Sequence, residues 1–86
     1  MSTRCKFYCS SIEKDSSTIW DNKKNAMIST ISYNLELIPV ISGSEENKQF
    51  FNSTPDGHFK LNIINAEAAK IFEIGKEYYI DITLAN

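Results

Sequence analysis

Ile41-Ser-Gly-Ser-Glu-Glu-Asn-Lys-Gln-Phe-Phe-Asn-Ser-Thr-Pro-Asp-Gly-His-Phe59 is the stretch whose reading decides the fold, because it interrupts two segments that alternate like strands. Ser44 is placed to cap a helix from Glu45 to Phe51, and the two glutamates of its first turn suit the positive end of the helix dipole. So short a helix exists only if tertiary packing holds it. Of the adjacent Phe50 and Phe51, one is expected to enter the core and the other to cover a strand or a partner. Thr54-Pro55-Asp56-Gly57 then carries Pro second and Gly fourth, the pattern of a type I turn.

Outward from this hub, period-two alternation recurs. Cys5, Phe7 and Cys9 share one face of a first strand, Thr3 to Glu13, with Arg4, Lys6, Tyr8 and Ser10 on the other. Met27 to Ile41 is the longest alternating run, with Ile31, Tyr33, Leu35 and Leu37 on one face and a bend expected near Pro39, at a sheet edge or bulge. Between them, Glu13 to Asn25 is rich in Lys, Asp, Ser and Asn and predicts an exposed connection, with Ile19 and Trp20 packed at the edge of the core. After the turn come a strand from His58 to Ile64 and a second short helix, Ala66 to Phe72, capped by Asn65 and followed by Gly75. The last strand, Glu77 to Leu84, sets Tyr78, Ile80, Ile82 and Leu84 against Tyr79, Asp81 and Thr83. The fold class is therefore α+β, mainly β: a small curved antiparallel sheet or barrel of four to five strands with two short helices.

With 86 residues the chain has material for one hydrophobic core, so it reads as a single domain over residues 1–86. Apolar residues make up 42% and charged residues 23%, which excludes wholesale disorder. A net charge of -2 and a pI near 5.3 argue against a general affinity for nucleic acid, which rests on many Lys and Arg neutralising phosphates. There is no apolar run of membrane-span length and no signal-like apolar segment at the N-terminus, so the expected setting is intracellular. Cys5 and Cys9 on one strand lie about 13 Å apart at roughly 3.3 Å per residue, beyond disulfide reach. Two reduced cysteines on a strand face are expected, with no metal site, since two Cys and the single His58 are too few ligands.

No sequence pattern of an enzyme is present: His58 stands alone, without a phosphate loop or a nucleophile and base at motif spacing. No catalytic residue and no cofactor is assigned. Two groups remain as candidates for ligand or partner binding. Ser42 and Ser44, with Lys48 nearby, precede a helix where free N–H groups converge, an anion-site geometry that competes with simple capping by Ser44. Tyr8, Tyr79 and Lys6 lie on strand faces expected to be wet, where aromatic and basic side chains form either a stacking platform or a protein interface. Apolar residues on both strand faces, Tyr8 and Ile12 opposite Phe7 and Ile28 opposite Met27, predict a homo-oligomer, with a dimer as the simplest closed form.

Pro39, Ser42 to Phe51, Thr54 to Gly57, Asn65 to Ala69 and Phe72 to Tyr79 together resemble a family of short, uncharacterised proteins of tailed bacteriophages. The pattern is Ser-Gly-Ser-x-Glu-Asn-Lys-x-Phe-Phe, Thr-Pro-x-Gly, Asn-x-Glu-Ala-Ala and Phe-x-x-Gly-Lys-x-Tyr-Tyr, and it runs from Tyr33 to Ala85. The resemblance carries no functional residues. It implies a viral protein at work in the host cytoplasm: a non-enzymatic counter-defence protein that blocks a host factor or sequesters a nucleotide signal. The alternatives are an accessory protein of the virion and an OB-like single-strand binder.

Overall fold

The computed structural model describes residues 2–86. The chain forms β1 (Ser2–Asp21), β2 (Ala26–Pro39), α1 (Glu45–Ser53), β3 (Phe59–Ile63), α2 (Ala66–Ala69) and β4 (Glu77–Thr83). All pairings are antiparallel and the sheet order is β3-β2-β1-β4. The expected mainly β architecture of one curved sheet and two short helices is what the chain adopts. The sheet is open: β3 and β4 lie at opposite ends of it, so the barrel alternative is not realised. Among the described residues no helix is long and apolar enough to cross a membrane.

The core lies where β1 is paired on both sides. Ser2–Tyr8 face Glu77–Thr83 of β4, and Phe7 begins the long ladder to β2 opposite Pro39. Cys5, Phe7, Cys9 and Leu37 are buried there as one cluster, with Ile12, Phe59, Phe72, Tyr78 and Ile80 packed around them, and Leu35 and Val40 are buried as well. The return segment after α2 is pinned across this face by the Tyr78 hydroxyl, which donates to Ile71 O (2.7 Å) and accepts from Glu73 N (2.9 Å). Gly75 N donates to Cys9 O (2.8 Å), and Cys9 N to Lys76 O (2.9 Å). Gly75 makes this join with φ of +88°, a conformation that a side chain disfavours. Pro39 is the last residue of β2, just beyond Leu37, where β3 stops pairing. Val40 N donates to Lys6 O on the β1 side, so the N–H that Pro39 lacks would face the side β3 has left, and no ladder bond is lost.

Several expectations are corrected. The first strand does not end at Glu13 and the segment to Asn25 is no loose connection: β1 runs on to Asp21 and pairs with β2 as far as Ala26, leaving a four-residue turn. Polar residues belong in a strand here because this stretch is a two-stranded arm reaching past β3 and β4, with water on both faces. The register shifts between Cys9 and Ser11, an extra residue of the kind that re-aims a strand. Odd residues face the core before this bulge and even ones after it, so Ile12 packs against the core rather than opposite Phe7. Trp20 does not pack at the core edge: it is 52% exposed on the arm, its indole N–H donating to Asn22 Oδ1 (2.8 Å). Neither Phe50 nor Phe51 is a buried core anchor. The one buried residue of α1 is Asn47, and α2 is a single turn shorter than expected at its C-terminal end.

Two outcomes follow for stability. Truncating Leu37, 2% exposed, to Ala is expected to cost about 2–5 kcal/mol, a large part of a small chain's stability, whereas Leu84→Ala, 84% exposed, stays within about 0.5 kcal/mol. Equal shifts of the urea midpoint would contradict this placement of the core. Cys5 and Cys9 are free and buried, and burial pushes the Cys9 thiol pKa up, which keeps the reactive thiolate scarce. Thiol labelling without reductant should therefore be slow on the native protein and find both cysteines after denaturation.

Candidate functional site

The sequence between β2 and β3 is steered by Ser44. Its hydroxyl accepts from Asn47 N (3.0 Å) and closes the first turn of α1. Asn47, 2% exposed, then ties the turn to the sheet: its Nδ2 donates to Ser42 O (3.0 Å) and to Glu77 Oε2 (2.8 Å). Its Oδ1 is buried without a partner.

One residue earlier, Glu46 reaches the face of β1 and β4 opposite the core. Lys6 Nζ donates to its Oε2 at 2.5 Å, and the Tyr79 hydroxyl donates to the same carboxylate at 2.9 and 3.0 Å. Lys6 also lies 3.4 Å from Glu77 Oε1. Two rungs away on the same face, Arg4 forms a two-pronged pair with Asp81, at 2.7 and 3.0 Å. The Arg4 guanidinium and Lys6 Nζ stand 4.9 and 5.4 Å from the centre of the Tyr79 ring, and Phe50 leans on that ring at 6.1 Å. Each cation is attracted to the electron-rich face of the ring.

These contacts shift the titrating groups together. The hydrogen bond from Lys6, and then that from Tyr79, hold the Glu46 carboxyl below its ordinary range, while donation to Glu46 raises the Tyr79 hydroxyl. Lys6 is raised by the same bond, and Asp81 is lowered by its bond from Arg4. The cluster sets two cations, Arg4 and Lys6, against three carboxylates, Glu46, Glu77 and Asp81. It carries no surplus positive charge to offer an anion.

Of the residues singled out in the sequence, the structure brings Lys6 and Tyr79 into one cluster, with Ser42 and Ser44 a turn away through Asn47. Lys48 points elsewhere, 3.4 Å from Glu45 on the exposed side of α1. Tyr8 is half-buried on the same sheet face, two rungs beyond Lys6, opposite Ile38 and Glu77. Sequence reading missed Glu46, Asn47, Arg4 and Asp81. Alternation already set Arg4 and Lys6 on the wet face of one strand and Tyr79 and Asp81 on that of another, so an antiparallel pairing of these strands was the available signal. Nothing in the sequence separated Glu46 from Glu45.

A second feature of this face is a shallow depression of about 550 Å³ lined by Ser11, Glu13, Asn34, Glu36, Lys60 and Asn62, among others. Two of its polar groups are engaged: Asn62 Nδ2 donates to Asn34 Oδ1 (2.5 Å), and Asn34 Nδ2 donates to Oδ2 of Asp15 beside the depression (2.7 Å). His58 Nε2 lies 3.1 Å from Glu36 Oε2. Among the described residues no group of three or more His, Cys, Asp and Glu is placed to hold a metal ion. No family model matches the chain, nor does any curated protein or solved structure.

The Glu46 contacts set a pH window. A carboxylate whose folded pKa is lowered stabilises the fold above its unfolded value, near 4.5, and that contribution is lost as pH falls through the folded value. A raised tyrosine contributes below its unfolded value near 10 and loses this as pH rises through its folded value. Glu46→Gln is therefore expected to lower the melting temperature at neutral pH, with the gap to wild type closing below pH 4.5. A gap that persists unchanged in acid would remove Glu46 from this role. High salt should narrow the gap in part, since the Glu46 carboxylate is half-exposed although the Lys6 side chain is largely covered.

Proposed function

We propose that this chain is a small non-enzymatic binding protein that works by contact with other protein surfaces. The observation that carries the reading is the arm. Trp20, Met27 and Ile31, 52%, 57% and 51% exposed, follow one another on the core-side face of a two-stranded ribbon that projects beyond the rest of the sheet. Trp and Met are enriched in protein interfaces, and a Trp on a projecting element is the kind of side chain that carries binding energy. Joined to the sequence resemblance, this gives a bacteriophage protein acting in the cytoplasm of the infected cell, self-associated as a dimer, and blocking a host factor of defence.

Sequestering a nucleotide has less support. The Tyr79 hydroxyl and ring face are already engaged by Glu46, Arg4, Lys6 and Phe50, and the surrounding charge is not positive. An OB-like strand binder draws no support from an open sheet. A second reading, an accessory protein of the virion, is favoured by shape: the molecule measures 51 × 33 × 19 Å, and a projecting arm suits a subunit that reaches onto its neighbour in a shell.

Quantitative mass spectrometry of particles of the encoding phage tests the choice. Absence from particles is expected, together with a host-protein complex in infected cells that Trp20→Ala abolishes. Stoichiometric presence in the particles would replace the intracellular role with the structural one.

A further inference from the structure

The arm has two open edges, and they differ in a way that selects a partner. β4 stops at Tyr8 on one side and β3 stops at Tyr33 on the other. The β1 edge beyond Tyr8 carries Glu13, Lys14, Asp15 and Asp21, charges of the sort that keep an edge strand from pairing. The β2 edge, Ala26-Met-Ile-Ser-Thr-Ile31, has no charge, no proline and no glycine. Such a segment, rich in β-branched residues and unguarded, pairs readily with another strand. An isolated two-stranded ribbon is also marginal in water and gains from a third strand.

From this we infer that the β2 edge of the arm, Ala26 to Thr30, pairs antiparallel with the same edge of a second copy of this chain, making a continuous sheet across a two-fold axis. The inference rests on the self-association proposed above and specifies its surface. A two-fold perpendicular to the sheet keeps residues on their own faces, so the pairing is self-complementary. Centred on Ile28, it sets that residue against its own copy. Because Ile28 already lies opposite Ile19, a row of four isoleucines crosses the four strands on one face. On the other face, the Trp20–Met27 pairs of the two copies come to lie near each other and form one apolar strip that stays open to a further partner. Two positions, Ile31 and Ser32, separate the last paired rung from Ile63, which occupies the rung at Tyr33, and the hairpin turn of the second copy falls beside them. No like charges meet anywhere along the edge.

The shape agrees with an arm that has a missing neighbour. The radius of gyration is 16.2 Å, against about 12 Å for a compact chain of this length. A second copy is the occupant for which this segment supplies both halves of the contact, and one chain type suffices to build it.

Sedimentation equilibrium at micromolar concentration, with a matched pair of variants, tests the inference. Thr18 and Ser29 are opposite each other on one rung of the arm, both exposed and on the same face. Ser29→Lys charges the β2 edge, and Thr18→Lys puts the same charge on the β1 edge. Wild type and Thr18→Lys should weigh twice the 9.8 kDa chain. Ser29→Lys should sediment as the monomer or dissociate about tenfold or more too easily, with its far-ultraviolet circular dichroism unchanged. Thr30→Lys should repeat the effect on the other face. A wild-type monomer would overturn self-association and this surface together. A dimer that Ser29→Lys and Thr30→Lys leave intact would overturn this surface alone.

Discussion

The antiparallel ladder between Ser2–Tyr8 and Glu77–Thr83 is the contact on which the rest of the structure depends, since it joins β1 to β4 and gives the first strand its second neighbour. On one face it sets Cys5 against Ile80 and Phe7 against Tyr78, which starts the core; on the other it sets Arg4 against Asp81 and Lys6 against Tyr79, which builds the platform that receives Glu46. A pairing so distant in sequence must close nearly the whole chain as a loop before it is rewarded. The shorter contacts, the β1–β2 hairpin above all, therefore have to prepare its partners.

How far the sequence reveals this varies with the type of signal. Alternation identifies the core face of Cys5, Phe7 and Cys9, that of Leu35 and Leu37, the β4 strand and the capped helix at Ser44, because each of these follows a period imposed by water on one side and apolar contact on the other. The same reasoning fails from Glu13 to Asp21, where water lies on both sides and no period is imposed. There the strand is held by pairing with β2, a tertiary fact. The bulge at Ser10 is equally invisible: one inserted residue inverts the facing of all that follow, and only the cross-strand register exposes it. Ser10 Oγ bonds Glu36 O at 3.1 Å, a contact no local pattern announces.

The candidate cluster was half legible for a related reason. Lys6 and Tyr79 stand out as a basic and an aromatic side chain on wet faces, but whether they are free or spoken for depends on a helix forty residues along the chain from Lys6. Glu46 converts them from a potential ligand surface into the fastening of α1. The helix is thus held by polar bonds at Asn47 and Glu46 and by Phe50 against Tyr79, where an aromatic plug in the core was expected. Apolar side chains left without a role in the core, Trp20 and Met27 among them, are displayed on the arm.

Because Ser2 stands opposite Thr83, the outer ends of β1 and β4 lie side by side, remote from the hairpin turn. The order in which the strands are connected is therefore separable from the sheet they form. A short linker joining the outer ends of β4 and β1, with a new opening at Asn22–Asn25, would yield a rearranged chain that retains every rung of the sheet. In that rearranged chain the arm would consist of two independent strand ends, so that its hairpin connectivity and its surface chemistry become separately adjustable.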